Sequence, residues 1–282
     1  MLKHAYLIIA HNEFEVLQRL ALALDNENHD IYIHFDAKVK ELPMLKVEKS
    51  SLFILKERVD ICWGNITQLE AEYKLWQIAY ENNEYAFYHL ISGQHYPLRS
   101  AFELYKYFST YFGYSIFLPM YTYEEEIDAK IRRYNFFAKY MMSGKNRYSY
   151  KVGRFLWNMA LKPQKIFNVR RYKNESFYKT SNWCSLTSDA VKYMLDNKEN
   201  ILLKYRHTFC ADEFFVLSEL MNSYLKEKCM FDMNMLKVEF VASTPRIYKE
   251  GDWKELMSSG CLFARKFTRQ SISLIDKIDN HG

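Results

Sequence analysis

The stretch "FCADEFF", residues 209–215, sets Asp212 and Glu213 side by side among apolar residues. Adjacent carboxylates in such company can complement a helix dipole, hold a metal ion or move a proton. Helical spacing separates the two. Three, four and seven residues beyond Glu213 stand Val216, Leu217 and Leu220, an apolar face; beyond Asp212 stand Phe215, Val216 and Glu219, a mixed one. The spacing predicts Glu213 on the packed side of a helix, where desolvation lifts a carboxyl towards a general base's range. Asp212 is then expected to face backbone amides or water at the helix start.

Other chemistries find no residues to carry them. Neither G-x-G-x-x-G nor the Walker lysine loop occurs, which removes the dinucleotide and P-loop readings. G-x-S-x-G and H-E-x-x-H are also missing. No D-x-D pair is present to clamp a divalent metal, and Asp232-Met233-Asn234 is the nearest string to one.

The elements that must position these residues alternate. "AYLIIAH" (5–11), "DIYIHFD" (30–36), "SLFIL" (51–55), "YAFYHLIS" (85–92) and "YSIFLP" (114–119) read as strands. Between them, 14–24, 68–81 and 102–112 read as helices, which predicts an α/β fold with a largely parallel central sheet flanked by helices. Ligands on such sheets gather beyond the carboxyl ends of the strands, where His11, Asp36 and Ser92 fall. Before the long helix, Asn65 and Gln68 have capping-box spacing, so Trp63-Gly64 is a turn at a helix N-terminus, a place suited to anions. Further on, 189–197 and "FCADEFFVLSEL" read as helices, "LKVEFV" (236–241) as a strand, and the segment ending "LFARKF" as helical.

Composition narrows the class. A chain of 282 residues, 49% hydrophobic with only 8 Gly and 5 Pro, buries a real core and has no low-complexity linker. It is expected to form a single domain over 1–282, in two parts near 1–120 and 121–282. Five scattered cysteines without a C-x-x-C suggest reduced thiols and a cytoplasmic protein. The opening residues lack a secretory signal, and no run approaches the roughly 20 apolar residues of a membrane span. Charge is uneven: 130–173 carries 13 Lys or Arg and no Asp or Glu, interleaved with aromatic residues. That pattern suits an anionic partner, whether a phosphorylated substrate, nucleic acid or an anionic membrane surface with peripheral attachment at its inner face, and equally a plain solvated cationic face. No nucleic-acid motif accompanies it.

Six strings occur in order: "HAYLIIAHNEFEVLQRLALAL…IYIHFDAK", "WGNITQLEAEYKLWQIA", "YHLISGQHYPLRS", "SNWCSLTSDAVKYML", "ADEFF" and "LFARKF". Together they resemble the core-2/I-branching β-1,6-N-acetylglucosaminyltransferases and peptide O-xylosyltransferases, glycosyltransferase family fourteen, bacterial members especially. The resemblance implies a GT-A-like fold and an inverting transfer of GlcNAc or xylose from a UDP-sugar to a glycan hydroxyl, forming a β linkage. It implies no metal and no other cofactor, with Glu213 as the base. Lys266 in "FARKF" matches the lysine that meets the departing diphosphate, and Lys237 falls where the family has an arginine, with Arg246 as rival. His11 and Asp36 match uridine contacts, and Trp63, Gly64, Ser92 and Gly93 fall on the donor side. His95 stands where an acidic residue is common, and Thr180 replaces a glycine. The acceptor side falls on Glu126, Arg132, Arg133 and Tyr134, with Trp183 as a sugar platform. The altered positions keep open a second reading: a catalytically silent carbohydrate- or membrane-binding protein on the same fold.

Overall fold

The computed structural model describes residues 2–136, 147–242 and 244–281. The five apolar runs of the first 120 residues become strands, and each amphipathic run between them packs as a helix. In chain order these are β1 (Lys3–Ala10), α1 (Phe14–Ala23), β2 (His29–Phe35), β3 (Ser51–Ile54) and α2 (Thr67–Asn82). Then come β4 (Tyr85–Ser92), a short β5 (His95–Pro97), α3 (Ala101–Ser109) and β6 (Ser115–Pro119). The middle of the chain adds α4 (Glu124–Ile127), α5 (Arg147–Ile166), β7 (Thr180–Thr187), α6 (Ser188–Asp196) and α7 (Lys198–Tyr205). The last third supplies α8 (Phe215–Met221), β8 (Cys229–Phe231), β9 (Leu236–Val238), β10 (Phe240–Val241) and β11 (Thr244–Pro245). It closes with α9 (Trp253–Ser258), β12 (Phe263–Arg265) and α10 (Ile272–Asp279).

Seven strands form one sheet in the order β3-β2-β1-β4-β7-β6-β8. The four on one side run parallel, β7 runs against both its neighbours, and β8 is parallel to β6. Along β1 the pleat sends Tyr6 and Ile8 to one face and Ala5 and Leu7 to the other, all fully buried. The first face is covered by Val16 and Leu20 of α1, Phe108 of α3 and Leu274 of α10. The second is covered by Tyr73 and Trp76 of α2, Val191 of α6 and Phe215 of α8. Burial on both faces is why these strands read as unbroken apolar runs, each large side chain contributing roughly 1.5–3 kcal/mol. A second sheet, β5-β12-β9, sits beside the first and sets Arg265 opposite His95 on one side and Val238 on the other.

Four expectations change. "FCADEFFVLSEL" is not one helix: Cys210 takes a left-handed conformation (φ 52°), Ala211–Glu213 is a 3-10 turn, and helix begins only at Phe215. "LFARKF" holds a strand, β12, because its backbone is paired on both sides. "LKVEFV" splits into β9 and β10, which pair with different partners. The Asn65–Gln68 capping box does not form. Ile66 already has helical dihedrals, so Asn65 accepts from the Thr67 backbone N–H at 3.3 Å and Gln68 reaches forward to Glu72 at 3.1 Å.

Candidate active site

The carboxyl ends of β1 and β4, the end of β6 and the reversed start of β7 open on one cavity of about 540 Å³. That is within the size range of small-molecule sites. His11 and Asn12 come from the tip of β1, Ser92 and Gly93 from the tip of β4, and Ser181, Asn182 and Trp183 from β7. Gly93 has no room for a side chain: a Cβ there would stand 3.2 Å from Ala10 Cβ and 3.3 Å from Leu17 Cδ1. Gly64 is held more tightly. Its φ is +70°, and a Cβ would meet the Phe209 ring at 2.7 Å. The Gly64 carbonyl in turn accepts from the Cys210 N–H at 2.9 Å, which pins the 3-10 turn carrying the two acids.

The acids divide the cavity wall in the reverse of the expected way. Glu213 is reached by solvent, and its carboxylate lies 3.2 Å from Lys130 Nζ and 3.6 Å from Lys179 Nζ. Both lysines also hold Glu126, at 2.8 and 2.7 Å. Burial works against charge on Glu126, but the two lysine hydrogen bonds bring its carboxyl down to about 2. Asp212 is the desolvated partner. Its Oδ1 is closed off from water and finds no hydrogen-bond donor, and burial, with the adjacent Glu213 charge, pushes it up to about 7. A 3-10 turn after a left-handed residue does not follow α-helical spacing, which is why the orientation is exchanged.

Behind Asp212 stands a second buried acid. Glu72 on α2 is fully buried, accepts from Gln68 Nε2 at 3.1 Å, and leaves Oε2 unpartnered. Burial and the charge of Asp212 raise its carboxyl well above the usual range. The sequence carries a signal for it: Leu69, Leu75 and Trp76, three or four residues away on a helix, make an apolar face around Glu72.

Asp212 makes a stability prediction. Between about pH 4 and 7 the folded chain keeps a proton on Asp212 that the unfolded chain releases, so this group lowers stability as pH rises through that window. Asp212→Asn removes the titration. It is expected to be more stable than the parent by about 2–4 kcal/mol at pH near 8, the gain vanishing near pH 4. Urea unfolding at the two pH values measures it, and an equal gain at both would refute it.

The cations also fall differently. Lys237 pairs with Glu239 at 2.8 Å and Glu255 at 3.4 Å. Arg246 pairs with Glu239 at 2.7 Å, Glu255 at 3.4 Å and Asp252. Neither lines the cavity. Arg265 does, and no carboxylate among the described residues lies within ion-pair reach of it. Its Nε is buried without a partner, its guanidinium stands 5.5 Å over the Trp183 ring, and burial lowers its pKa. Lys266 follows it, half-buried, with its own pKa lowered by burial and by Arg265. Burial also lowers His11; Asp36 pulls the other way, and Lys266, Lys38 and Arg265 act with the burial.

Asp36 is buried beside His11, in a second opening, where Lys38 Nζ holds it at 2.9 Å. Trp63 forms an exposed rim of the main cavity, and Trp183 lines it with its ring 4.9 Å from His95. His95 is turned away, its Nδ1 2.8 Å from Ser92 Oγ, and Thr180 is buried at the start of β7. Of the five expected acceptor residues only Trp183 lines the cavity; Glu126, Arg132, Arg133 and Tyr134 lie outside its lining. Glu126 reaches it only through Lys130 and Lys179, Arg132 and Arg133 pair with Asp128, and Tyr134 stacks on Phe136 at 5.3 Å. Asp232 accepts from Tyr107 and from the Asn234 N–H. Among the described residues, no group of three or more His, Cys, Asp or Glu side chains is placed to hold a metal ion. No described helix is long and apolar enough to cross a membrane.

Sequence reasoning missed Arg265, Gln68, Asn182 and Glu72. Arg265 had a signal in its neighbour, since "ARK" sets two cations in an otherwise apolar string.

The fold is mixed α/β, with a large, mostly parallel central sheet that opens on a cavity at the carboxyl ends of its strands. Residues 4–246 match the family model described as Core-2/I-Branching enzyme, and the chain belongs to that family. It is a glycosyltransferase. No curated protein matches the sequence. Among solved structures, the chain is similar to S. aureus TarS 1-349, with 9% identity over 83% of this chain and a TM-score of 0.40; it spans 58% of that protein. It is similar as well to mouse xyloside xylosyltransferase 1 in its apo form, with 10% identity, 94% and 97% of the two chains covered and a TM-score of 0.41.

Proposed function

We propose that the enzyme moves GlcNAc or xylose from a UDP-sugar to a hydroxyl of a glycan, inverting the anomeric centre without a metal ion. One observation carries the reading: Glu213, bracketed by two lysines, and Arg265, with no carboxylate partner among the described residues, face the same cavity. Glu213 takes the proton of the acceptor hydroxyl as that oxygen bonds to the anomeric carbon. The bond from that carbon to the diphosphate oxygen breaks, and UDP departs with the electron pair. Inversion of an α-linked donor leaves a β linkage.

Arg265 and Lys266 meet the charge that grows on the diphosphate, the part a cation plays in metal-dependent relatives of this chemistry. The lack of a D-x-D pair supports the same reading. His11, Asp36 and Trp63 fall to the uridine side, Ser92 and Gly93 to the sugar, and Trp183 to the apolar face of a sugar ring. Five unpaired cysteines fit a reducing, cytoplasmic setting.

Thermal shift with UDP, UDP-GlcNAc and UDP-xylose, followed by transfer assays with and without EDTA, tests the proposal. At least one UDP-sugar is expected to raise Tm, and EDTA to leave the rate unchanged. No shift with any of them overturns the donor class. A rate that vanishes in EDTA and returns with manganese overturns the metal-free mechanism.

A further inference from the structure

The basic segment found in the sequence has a definite surface on α5. At 100° per residue, Gly153, Trp157, Leu161 and Gln164 fall on one side and pack inward. Val152, Phe155, Leu156, Met159, Pro163 and Ile166 fall on another, within an arc of roughly 100°, and all six are exposed. Phe155 is 62% and Ile166 78% accessible. Lys151, Lys162 and Lys165 line one flank of that arc. The helix thus has three faces: one packed, one cationic and one apolar that no described residue covers.

From this surface we propose that α5 lies in the headgroup region of an anionic lipid bilayer, apolar arc inserted and lysines on the lipid phosphates. Such a face is what an interfacial helix needs, and a contiguous exposed row of Phe, Met and Ile marks an interaction surface. Charge decides between a membrane and a second copy of the chain. With no Asp or Glu from 130 to 173, two copies meeting through this face would oppose lysine rows, whereas an anionic bilayer satisfies both the lysines and the apolar arc.

The packed face fixes where the active site would then sit. Trp157 donates to Asn135 Oδ1 at 2.7 Å and lies 5.9 Å from the Phe209 ring, which lies 5.5 Å from Trp63 on the cavity rim. Docking α5 brings that rim near the bilayer, within reach of an acceptor hydroxyl on a lipid-anchored glycan. This last step rests on the sugar-transfer reading; the docking itself does not.

The test is co-sedimentation of the whole chain with vesicles of phosphatidylcholine carrying roughly a third phosphatidylglycerol, against pure phosphatidylcholine. Binding is expected to favour the anionic vesicles by roughly tenfold or more and to weaken with salt. The double variant Phe155→Asp, Ile166→Asp should lose it while keeping the parent's circular dichroism and Tm. Replacing Lys151, Lys162 and Lys165 with Ser should remove the anionic preference. Equal binding to both vesicle types, or a double variant that binds like the parent, overturns the proposal. So does a parent that ignores vesicles but forms a dimer dissolved by the same two substitutions. Transfer from a UDP-sugar in solution is read separately, so failure of either idea leaves the other standing.

Discussion

Glu213→Gln is expected to leave a folded enzyme that binds UDP as the parent does and transfers almost no sugar. General-base assistance is worth roughly 10²–10⁴-fold, so kcat should fall by at least a hundredfold with the Kd for UDP unchanged. The geometry sharpens the expectation. An amide at this position keeps the shape and offers hydrogen bonds to the acceptor, but it cannot take the proton. It also leaves Lys130 and Lys179 with Glu126 as their remaining shared carboxylate, so the lysines stay in place. Isothermal titration with UDP and single-turnover transfer separate the two effects. Full activity in the variant would remove Glu213 from the mechanism, and Asp212 would be the next acid to test.

Arg265→Met should separate activity from stability in opposite directions. Removing a fixed donor that meets a developing oxyanion costs roughly 10²–10³ in rate. Yet the free protein carries Arg265 half-buried, with Nε unpaired and no carboxylate in reach, which is an expense to the fold. Met fills similar volume without the charge, so Tm should rise while transfer collapses. The thermal shift on adding UDP should shrink as well. Lys237→Met is the control: it breaks ion pairs to Glu239 and Glu255 at the edge of the fold and should change transfer little. A rate that survives in Arg265→Met and fails in Lys237→Met would reverse the assignment.

The parallel half of the sheet was legible because strands buried on both faces must be written as apolar runs. "HAYLIIA" and "YAFYHLIS" allow little else, and the polar residues that end them had to lie at the tips. His11 and Ser92 were therefore placed at the cavity by the same pattern that placed their strands. The acids at 212 and 213 were legible as a site but not in orientation. Their turn follows a left-handed Cys210, and no periodic rule describes a three-residue 3-10 segment. Arg265 was hidden for a different reason: β12 is three residues long and exists through its pairing with β5 and β9, far away in the chain. Lys237 and Arg246 looked available because, apart from Glu239 two residues from Lys237, their acidic partners at 252 and 255 and the Arg246–Glu239 pairing come together only where the chain folds back on itself. The basic interval was legible as charge, while its three-faced helix needed burial to be seen. Phe137 and Tyr140, counted with that interval, lie outside the described residues.

β6 ends at Pro119 and the strand beside it, β7, begins at Thr180, so the 60 residues between them leave and rejoin the sheet at the cavity rim. The sheet's register does not depend on how long that excursion is. Ile127, Ile131 and Phe177 of that excursion pack into the core on one face of the sheet. This excursion also carries Lys130 and Lys179, the two groups that hold Glu213. A chain that exchanged this excursion would have to re-supply the clamp on Glu213, so the sequence of one long connection is tied to the alignment of a carboxylate on a distant turn.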